Sequence, residues 1–252
     1  RSRPPEWTVN RSQPKRVITH VAHKGSRGDV VVVGGAGESA KGQSMAGACT
    51  LAGAGALYGG AGRVYLHLLD REAPRNNPVL PELMYRQLSD LNLQTITAVC
   101  GCGGGQAVTD LIPDLLTDCK QVVLDADALN AIAADPALRT LLQYRSQMSW
   151  QTVLTPHPLE AARLLGRTDA DSVQADRLKA ARDLVKTYNC VVVLKGSGTL
   201  IAAPGMPCRI NCTGNGRLAT AGTGDVLAGY IGALMAQGMP AFEAACAAAR
   251  RH

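Results

Sequence analysis

Short runs of β-branched and aliphatic residues recur along the chain with little polar alternation, at Val30–Val33, Val64–Leu69, Thr95–Val99, Val122–Leu124, Val153–Leu154, Val191–Leu194 and Leu200–Ala202. A strand with one wet face alternates apolar and polar residues, so runs of this kind suit strands covered on both faces, in a largely parallel sheet. Helical stretches lie between them. The clearest is predicted from about Asp171 to Tyr188, where Leu178, Ala181, Val185 and Tyr188 recur on one face while Asp176, Lys179 and Arg182 hold the other. Residues 43–58 are rich in Ala and Gly, too small-sided for anything but a helix packed closely on the sheet, and Gly59-Gly60-Ala61-Gly62 ends it. Ala241–His252 begins another Ala-rich helix, which either closes the domain or marks a truncated chain. The β–α alternation, with no internal repeat and no linker, predicts a single α/β domain over residues 23–252, its mostly parallel sheet flanked by helices on both faces.

Composition supports one core. The chain has 252 residues, 46% of them hydrophobic but only 4% aromatic, and 27 glycines, which suggests Val, Leu, Ile and Ala packed with close backbone approach. The formal charge of +6 changes meaning once it is located: residues 1–28 carry seven basic side chains and one acid, and the remainder is neutral. This argues against a nucleic-acid-binding face on the fold and predicts a flexible basic arm over residues 1–22. No apolar run is long enough to span a bilayer and no signal peptide is recognisable, so no membrane partner and a cytoplasmic location are expected. Eight cysteines fall mostly in apolar segments and read as reduced core thiols; Cys100-Gly101-Cys102 is too tight for a zinc half-site.

The richest chemistry lies in Asn211-Cys-Thr-Gly-Asn-Gly-Arg-Leu-Ala-Thr-Ala-Gly-Thr-Gly-Asp225-Val-Leu-Ala-Gly229, a glycine-rich turn entering an apolar helix with a lone carboxylate behind it. Gly222, Thr223 and Gly224 can turn backbone N–H groups onto an anion, and a helix starting at about Asp225 adds its positive dipole end. Asp225 is then placed to take a proton from a hydroxyl facing that anion, or else it only caps the helix. Lys195-Gly196-Ser197-Gly198-Thr199 joins two strands and is either a phosphate and ribose contact or a hairpin turn with its lysine in solvent. His157, in Thr155-Pro-His-Pro-Leu-Glu160, falls at the carboxyl end of a strand, where open α/β sheets bind ligands, or is a solvent-facing loop residue. Glu160 can orient a magnesium ion through water, or is a first-turn carboxylate meeting the helix dipole; no other metal ligand is assigned. Gly101, Gly103, Gly104 and Gly105 allow a ligand to lie against backbone, or allow tight packing. Asp125, Asp127 and Asn130 are either metal or hydroxyl partners or a cap and a buried polar network.

As a set, His23-Lys24-Gly25 with Gly34-Gly35, Gly101-x-Gly103-x-Gly105, Leu124-Asp-Ala-Asp-Ala-Leu-Asn130, Thr155-Pro-His-Pro-x-Glu160, Lys195-Gly-Ser-x-Thr199 and Thr213-Gly-Asn215 through Gly229 resemble the ADP-dependent NAD(P)H-hydrate dehydratases, in order from about residue 23 to the C-terminus. The resemblance implies a ribokinase-like fold and a metabolite-repair lyase. Its substrates are NADHX and NADPHX, reduced nicotinamide cofactors carrying a hydroxyl at ring carbon 6, and the co-substrate is ADP, or ATP in eukaryotic relatives, with Mg2+. It further implies that Asp225 deprotonates that hydroxyl, which takes a phosphoryl group from ADP to leave AMP, and that Gly222, Thr223 and Gly224 hold the charge while phosphate then departs. By the same resemblance Lys195, Gly196, Ser197, Gly198, Thr199 and Gly224 contact the nucleotide, and Gln43, Gly103, His157 and Asp225 face the hydrate. Two departures stand out: Gln43 follows Gly42 where the family usually has Ala, and Cys102 stands where the glycine loop normally carries Pro. A homo-oligomer is expected, with an epimerase as partner or fused domain. The alternatives are a ribokinase-fold kinase for a vitamin-precursor alcohol, disfavoured by the histidine at 157, and a non-catalytic nucleotide-binding subunit, disfavoured by Asp225.

Overall fold

A computed structural model describes residues 6–12, 24–38 and 42–252. Its strands in chain order are β1 (Trp7–Val9), β2 (Asp29–Gly34), β3 (Gly37–Glu38), β4 (Gln43–Ser44), β5 (Arg63–Leu68), β6 (Leu83–Tyr85), β7 (Thr97–Cys100), β8 (Gln121–Leu124), β9 (Gln151–Leu154), β10 (Val191–Leu194), β11 (Leu200–Ala202) and β12 (Cys208–Ile210). The helices are α1 (Ala46–Gly59), α2 (Ile112–Asp118), α3 (Ala126–Ala134), α4 (Pro136–Tyr144), α5 (Pro158–Leu164), α6 (Asp171–Gln174), α7 (Arg177–Tyr188), α8 (Thr223–Ala236) and α9 (Ala241–Arg251).

Ten strands form one sheet in the order β1-β12-β11-β10-β9-β8-β7-β2-β5-β6, parallel throughout except where β11 runs against β10 and β12. The apolar runs alternate between two cores, as the pleat requires. Val30, Val32, Val99 and Val123 face a layer of α1, α8 and α9. Val31, Val33, Val122 and Leu124 face the layer containing α2 to α5 and α7. Both faces are therefore covered, which is why the strands carry no polar alternation. Parallel register places the carboxyl ends of β2, β5, β7, β8, β9 and β10 along one edge of the sheet, where the loops named above emerge.

Departures from the expected elements have local causes. The helix predicted over 171–188 is two, because the Asp176 side chain accepts the Lys179 N–H at 2.9 Å and starts α7 afresh. Residues 43–58 begin as the small hairpin strand β4, and the helix starts only at Ala46; Gly60 in the left-handed region closes it. The three-residue strands β6 and β12 are too short to show a period.

Within the span expected to be an arm, β1 pairs in parallel with β12 and covers the sheet edge, and the buried Asn10 donates to Cys246 O at 2.7 Å. The arm expected over 1–22 therefore includes an integral edge strand, while residues 1–5 and 13–22, with His23 of the family motif, lie outside the described residues. α9 packs on α8, with Phe242, Ala245 and Cys246 buried. All eight cysteines are free thiols, and only Cys212 is exposed. No helix among the described residues is long and apolar enough to cross a membrane.

One packing feature carries directly to the site. α1 and α8 touch backbone to backbone: a Cβ on Gly55 would run into the Val226 carbonyl, and one on Gly229 into that of Ala52. Small residues in the Ala/Gly-rich α1 are thus what hold the first turns of α8, and Asp225 with them, against the sheet edge.

Candidate active site

Four loops from that edge converge. At the end of β10, Lys195 is only 19% exposed by side chain, and its ammonium lies 2.6 Å from Asp125 Oδ1 and 3.9 Å from Glu160 Oε2. Burial by itself lowers the lysine pKa, but Asp125 and Glu160 outweigh it and the net shift is upward, so Lys195 is a firmly held cation. The β10–β11 connection is indeed a hairpin, yet its lysine is turned inward rather than into solvent. Gly224, in the first turn of α8, lies against the same pair; a Cβ there would sit 3.3 Å from the Lys195 Nζ and 3.8 Å from Asp125 Oδ2.

α8 starts at Thr223 with Gly222 as its N-cap in the left-handed region, φ 88°, and no side chain caps it. The reading of Asp225 as a mere cap therefore fails: its carboxylate lies in the helix's first turn and points elsewhere. Burial is the main cause raising its pKa from 3.8 to about 6, with the Cys102 thiol and Lys195 pulling the other way and Asp125 and Asp127 adding to the rise. Cys102 is fully buried, and its sulfur, an Asp125 oxygen and an Asp225 oxygen all lie within 4.8 Å of one another. Burial and the two carboxylates hold that thiol protonated, so it meets Asp225 as a neutral neighbour. A carboxylate of this kind is ionised at neutral pH and more basic than a solvated one, which suits proton removal.

His157 is the N-cap of α5. Its Nδ1 accepts from the Leu159 and Glu160 amides at 3.2 and 3.4 Å, which leaves the ring proton on Nε2, 3.1 Å from Glu160 Oε1. Glu160 Oε2 accepts the His157 N–H at 2.7 Å, closing a capping box. Glu160 is thus buried and fully engaged, neither an exposed first-turn acid nor a carboxylate free for direct metal ligation. Asp127 accepts the Gly105 N–H at 2.8 Å and pins the glycine loop to α3, and Asn130 accepts from Arg163 at 2.7 Å, on the polar-network reading of that motif.

Gly103 holds φ 59°, and a Cβ there would meet Met45 and Ala48 at the start of α1. Gln43 is placed differently: it lies exposed on β4. The residues that pack on the glycine loop are Met45 and Ala48, the latter following Gly47 as Gln43 follows Gly42.

Beside this cluster a cavity of about 420 Å³ runs from Lys195 and Thr199 past Asn215 and Leu218 to Thr223 and Gly224. It includes all five residues of the Lys195–Thr199 turn and the first turn of α8. His252 also reaches it; burial, more than any charge, lowers its pKa. Sequence reasoning did not single out Leu218 or His252, which reach the cavity only through the packing of α8 and α9. The arrangement is a roomy polar cradle with a held cation and helix-end amides at its inner end, and a basic carboxylate next to them.

Comparison with known proteins identifies relatives of this chain. The family described as NAD(P)H-hydrate dehydratase matches residues 23–252. The chain is 42% identical over 245 residues to an ADP-dependent (S)-NAD(P)H-hydrate dehydratase of Neisseria meningitidis, covering 92% of this chain and 77% of that protein. It is 37% identical over 238 residues to the bifunctional NAD(P)H-hydrate repair enzyme of Escherichia coli, covering 92% of this chain but only 43% of that one. Among solved structures, the ADP/ATP-dependent NAD(P)H-hydrate dehydratase of Bacillus subtilis co-crystallized with ATP/Mg2+ superposes with a TM-score of 0.73 at 29% identity, over 95% of this chain and 83% of that one.

Proposed function

The chain belongs to the NAD(P)H-hydrate dehydratase family, and from that premise we propose how it returns NADHX and NADPHX to NADH and NADPH at the expense of an adenine nucleotide. The observation that carries the mechanism is a single adjacency: a carboxylate of raised basicity, Asp225, lies one residue from Gly224, which touches the Lys195–Asp125 pair at the inner end of the nucleotide-sized cavity. Asp225 takes the proton of the hydrate's C6 hydroxyl. That oxygen bonds to the terminal phosphorus of the nucleotide as the bridging P–O bond breaks, and with ADP the product is AMP. Lys195 and the amides at the start of α8, including those of Gly222, Thr223 and Gly224, hold the phosphoryl oxygens through the transfer. The phosphate ester at C6 then leaves as inorganic phosphate, a better leaving group than hydroxide. Loss of a proton from C5 restores the C5–C6 double bond.

The turn Lys195, Gly196, Ser197, Gly198 and Thr199 holds the nucleotide, and Gly103 faces the nicotinamide end. Ala48 takes the place considered for Gln43 against that ring, since it packs on Gly103 beside Met45 while Gln43 is exposed on β4. His157, with both ring nitrogens committed to α5 and Glu160, serves by fixing Glu160 beside Lys195 more than by reaching the hydrate itself. Mg2+ fits this donor set in one way: Glu160 is a hard oxygen ligand already engaged by His157, so it would meet the ion through water, with the remaining positions left to phosphate oxygens and water. Bound there, the ion neutralises phosphate charge. A homo-oligomer in the cytoplasm, with an epimerase supplied separately or in the same polypeptide, completes the reading; the name of the bifunctional relative supports the last point.

The test is incubation with NADHX and Mg2+ and either ADP or ATP, followed through recovery of reduced-nicotinamide absorbance and formation of inorganic phosphate. Nucleotide-dependent loss of the hydrate with matching phosphate release is expected. An untouched hydrate, with phosphorylation of a thiazole or pyrimidine alcohol instead, would sink the proposal.

A further inference from the structure

Two large ligands must meet at Asp225, and they cannot occupy the same side of it. If the nucleotide fills the cavity beyond β10, on the side of β11 and β12, the hydrate has to leave Asp225 in the opposite direction along the carboxyl edge of the sheet, over β7, β2 and β5. That edge opens there into a second cavity of about 800 Å³, lined among others by His67, Arg71, Arg75, Gln87, Ala107 and Asp110. It is at the upper end of the size range of small-molecule and cofactor sites, and nothing in the chemistry at Asp225 uses it.

The walls of the second cavity are tied to the site through backbone. The Gly35 N–H donates to Cys102 O at 3.0 Å and the Ala36 N–H to Gly103 O at 2.7 Å; the Leu69 N–H donates to Gly34 O and the Asp70 N–H to Gly35 O, both at 2.9 Å. One ladder of backbone bonds therefore joins the glycine loop after β7, the turn after β2 and the arginine loop after β5. Neighbouring strands are about 4.8 Å apart, so the arginine loop is about 10 Å from the Gly103 loop, the reach of a ribose and a pyrophosphate.

Its polar groups suit an anion. Asp70 is consumed in shaping the loop: Oδ1 accepts the Glu72 and Ala73 amides at 2.9 and 3.2 Å, and Oδ2 accepts the Ser44 hydroxyl at 2.7 Å. Arg75 donates to the Arg71 backbone carbonyl at 3.1 Å, which folds its guanidinium back over the loop. Neither lies within 4 Å of a carboxylate among the described residues, Arg75 acting on Asp70 only at longer range, and Asp110 is the one acid in the lining. His67 Nδ1 lies 3.1 Å from the Leu88 N–H and 3.3 Å from the Arg86 carbonyl, and burial lowers its pKa, so it adds no fixed charge to the lining. Two guanidinium groups with free donors are matched to phosphate oxygens.

We propose that this cleft seats the adenosine diphosphate half of the hydrated dinucleotide, with Arg71 and Arg75 donating to its phosphates, the additional 2′-phosphate of NADPHX included. The assignment rests on the dehydratase reading and extends it to the end of the substrate remote from the chemistry.

The experiment compares the wild type with an Arg71→Ala/Arg75→Ala double variant on three substrates: NADHX, NADPHX and the hydrate of reduced nicotinamide riboside, which lacks the whole adenosine diphosphate half. In the variant, KM for NADHX is expected to rise about tenfold, as loss of charge-assisted hydrogen bonds entails, and more than that for NADPHX. The nucleotide KM and kcat/KM for the riboside hydrate should stay as in the wild type, and an Arg71→Lys/Arg75→Lys variant should recover part of the loss. Unchanged KM for both dinucleotides, or an equal loss on the riboside hydrate, would overturn the assignment. Direct titration with NADPH, read by its fluorescence, separates this proposal from its premise. If the wild type left every hydrate untouched, the dehydratase reading would fail, while weaker NADPH binding by the double variant would still support the cleft and equal binding would refute it.

Discussion

A buried cation and a half-buried one sit on opposite edges of the same sheet, and they are treated in opposite ways. Arg145, 1% exposed, lies toward the amino ends of β8 and β9. Its guanidinium donates to the carbonyls of Leu116 and Cys119, both at 2.7 Å, and to the Thr152 hydroxyl at 2.8 Å, and it stacks 5.2 Å from the Trp150 ring. Burial pushes its pKa down to about 10, still far above neutrality. Lys195, at the carboxyl edge, is met by Asp125 and Glu160 and opens onto the cavity. Fixed carbonyls surround Arg145 and use up its donors, so it can only tie the ends of neighbouring elements together. Carboxylates anchor Lys195 from one side and leave its remaining hydrogens facing the space where phosphate would lie. What decides whether a buried cation is scaffold or site is thus the directionality of its partners more than its burial.

The comparison is sharpened most by acting on the group next to Lys195. Asp225→Asn keeps shape and removes the base; turnover of NADHX is expected to fall by roughly a hundredfold or more while nucleotide still binds, measured by steady-state kinetics and nucleotide titration. Near-normal turnover would mean that proton removal lies elsewhere.

Arg145→Leu should act on the other edge and in the other currency. Several buried carbonyls lose their donor together, so unfolding in urea should show a loss of about 2–4 kcal/mol, with turnover per folded molecule little changed. A selective loss of turnover at unchanged stability would contradict the division between the two edges.

Lys195→Ala is expected to raise the nucleotide KM by about tenfold or more, with a smaller effect on stability than Arg145→Leu, since Asp125 then gains water from the cavity. If melting temperature collapsed while nucleotide affinity held, Lys195 would be scaffold after all.

The smallest effect is in pH. With a pKa of about 6 in the folded protein, Asp225 must be deprotonated to work, so kcat/KM should fall as pH drops through about 6 and level off above it. The same shift bears on stability with a definite sign. An acid whose folded pKa lies above its usual 3.8 penalises the fold once it ionises, a penalty absent below about pH 4 and complete above about 6. Asp225→Asn should therefore match the wild type in Tm at acid pH and exceed it modestly at pH 7.5; a lower Tm at the higher pH would show that the carboxylate is stabilising.

Much of this arrangement is legible from local patterns. Unalternated valine runs announce strands covered on both faces, and glycines in turns before a helix announce amides free to meet an anion, because pleat, helix period and turn chemistry are properties of a few consecutive residues. Asp225 and the Lys195–Thr199 turn stand out as candidates on that basis, and Gly103 through the family resemblance. Other features depend on residues far apart in the chain. Nothing near Lys195 in sequence shows that it is turned inward on Asp125, 70 residues away, or that Cys102 lies beneath Asp225. Likewise Gln43 and Ala48 both follow a glycine, and only the packing of α1 on the glycine loop selects Ala48. The same holds for β1, a strand because β12 offers it an open edge, and for the arginine cleft, assembled from the ends of β5 and the turn before α2. Burial of a charge, completion of a sheet edge and the shape of a cavity arise where distant segments meet, and the energy that decides them is absent until the chain has folded.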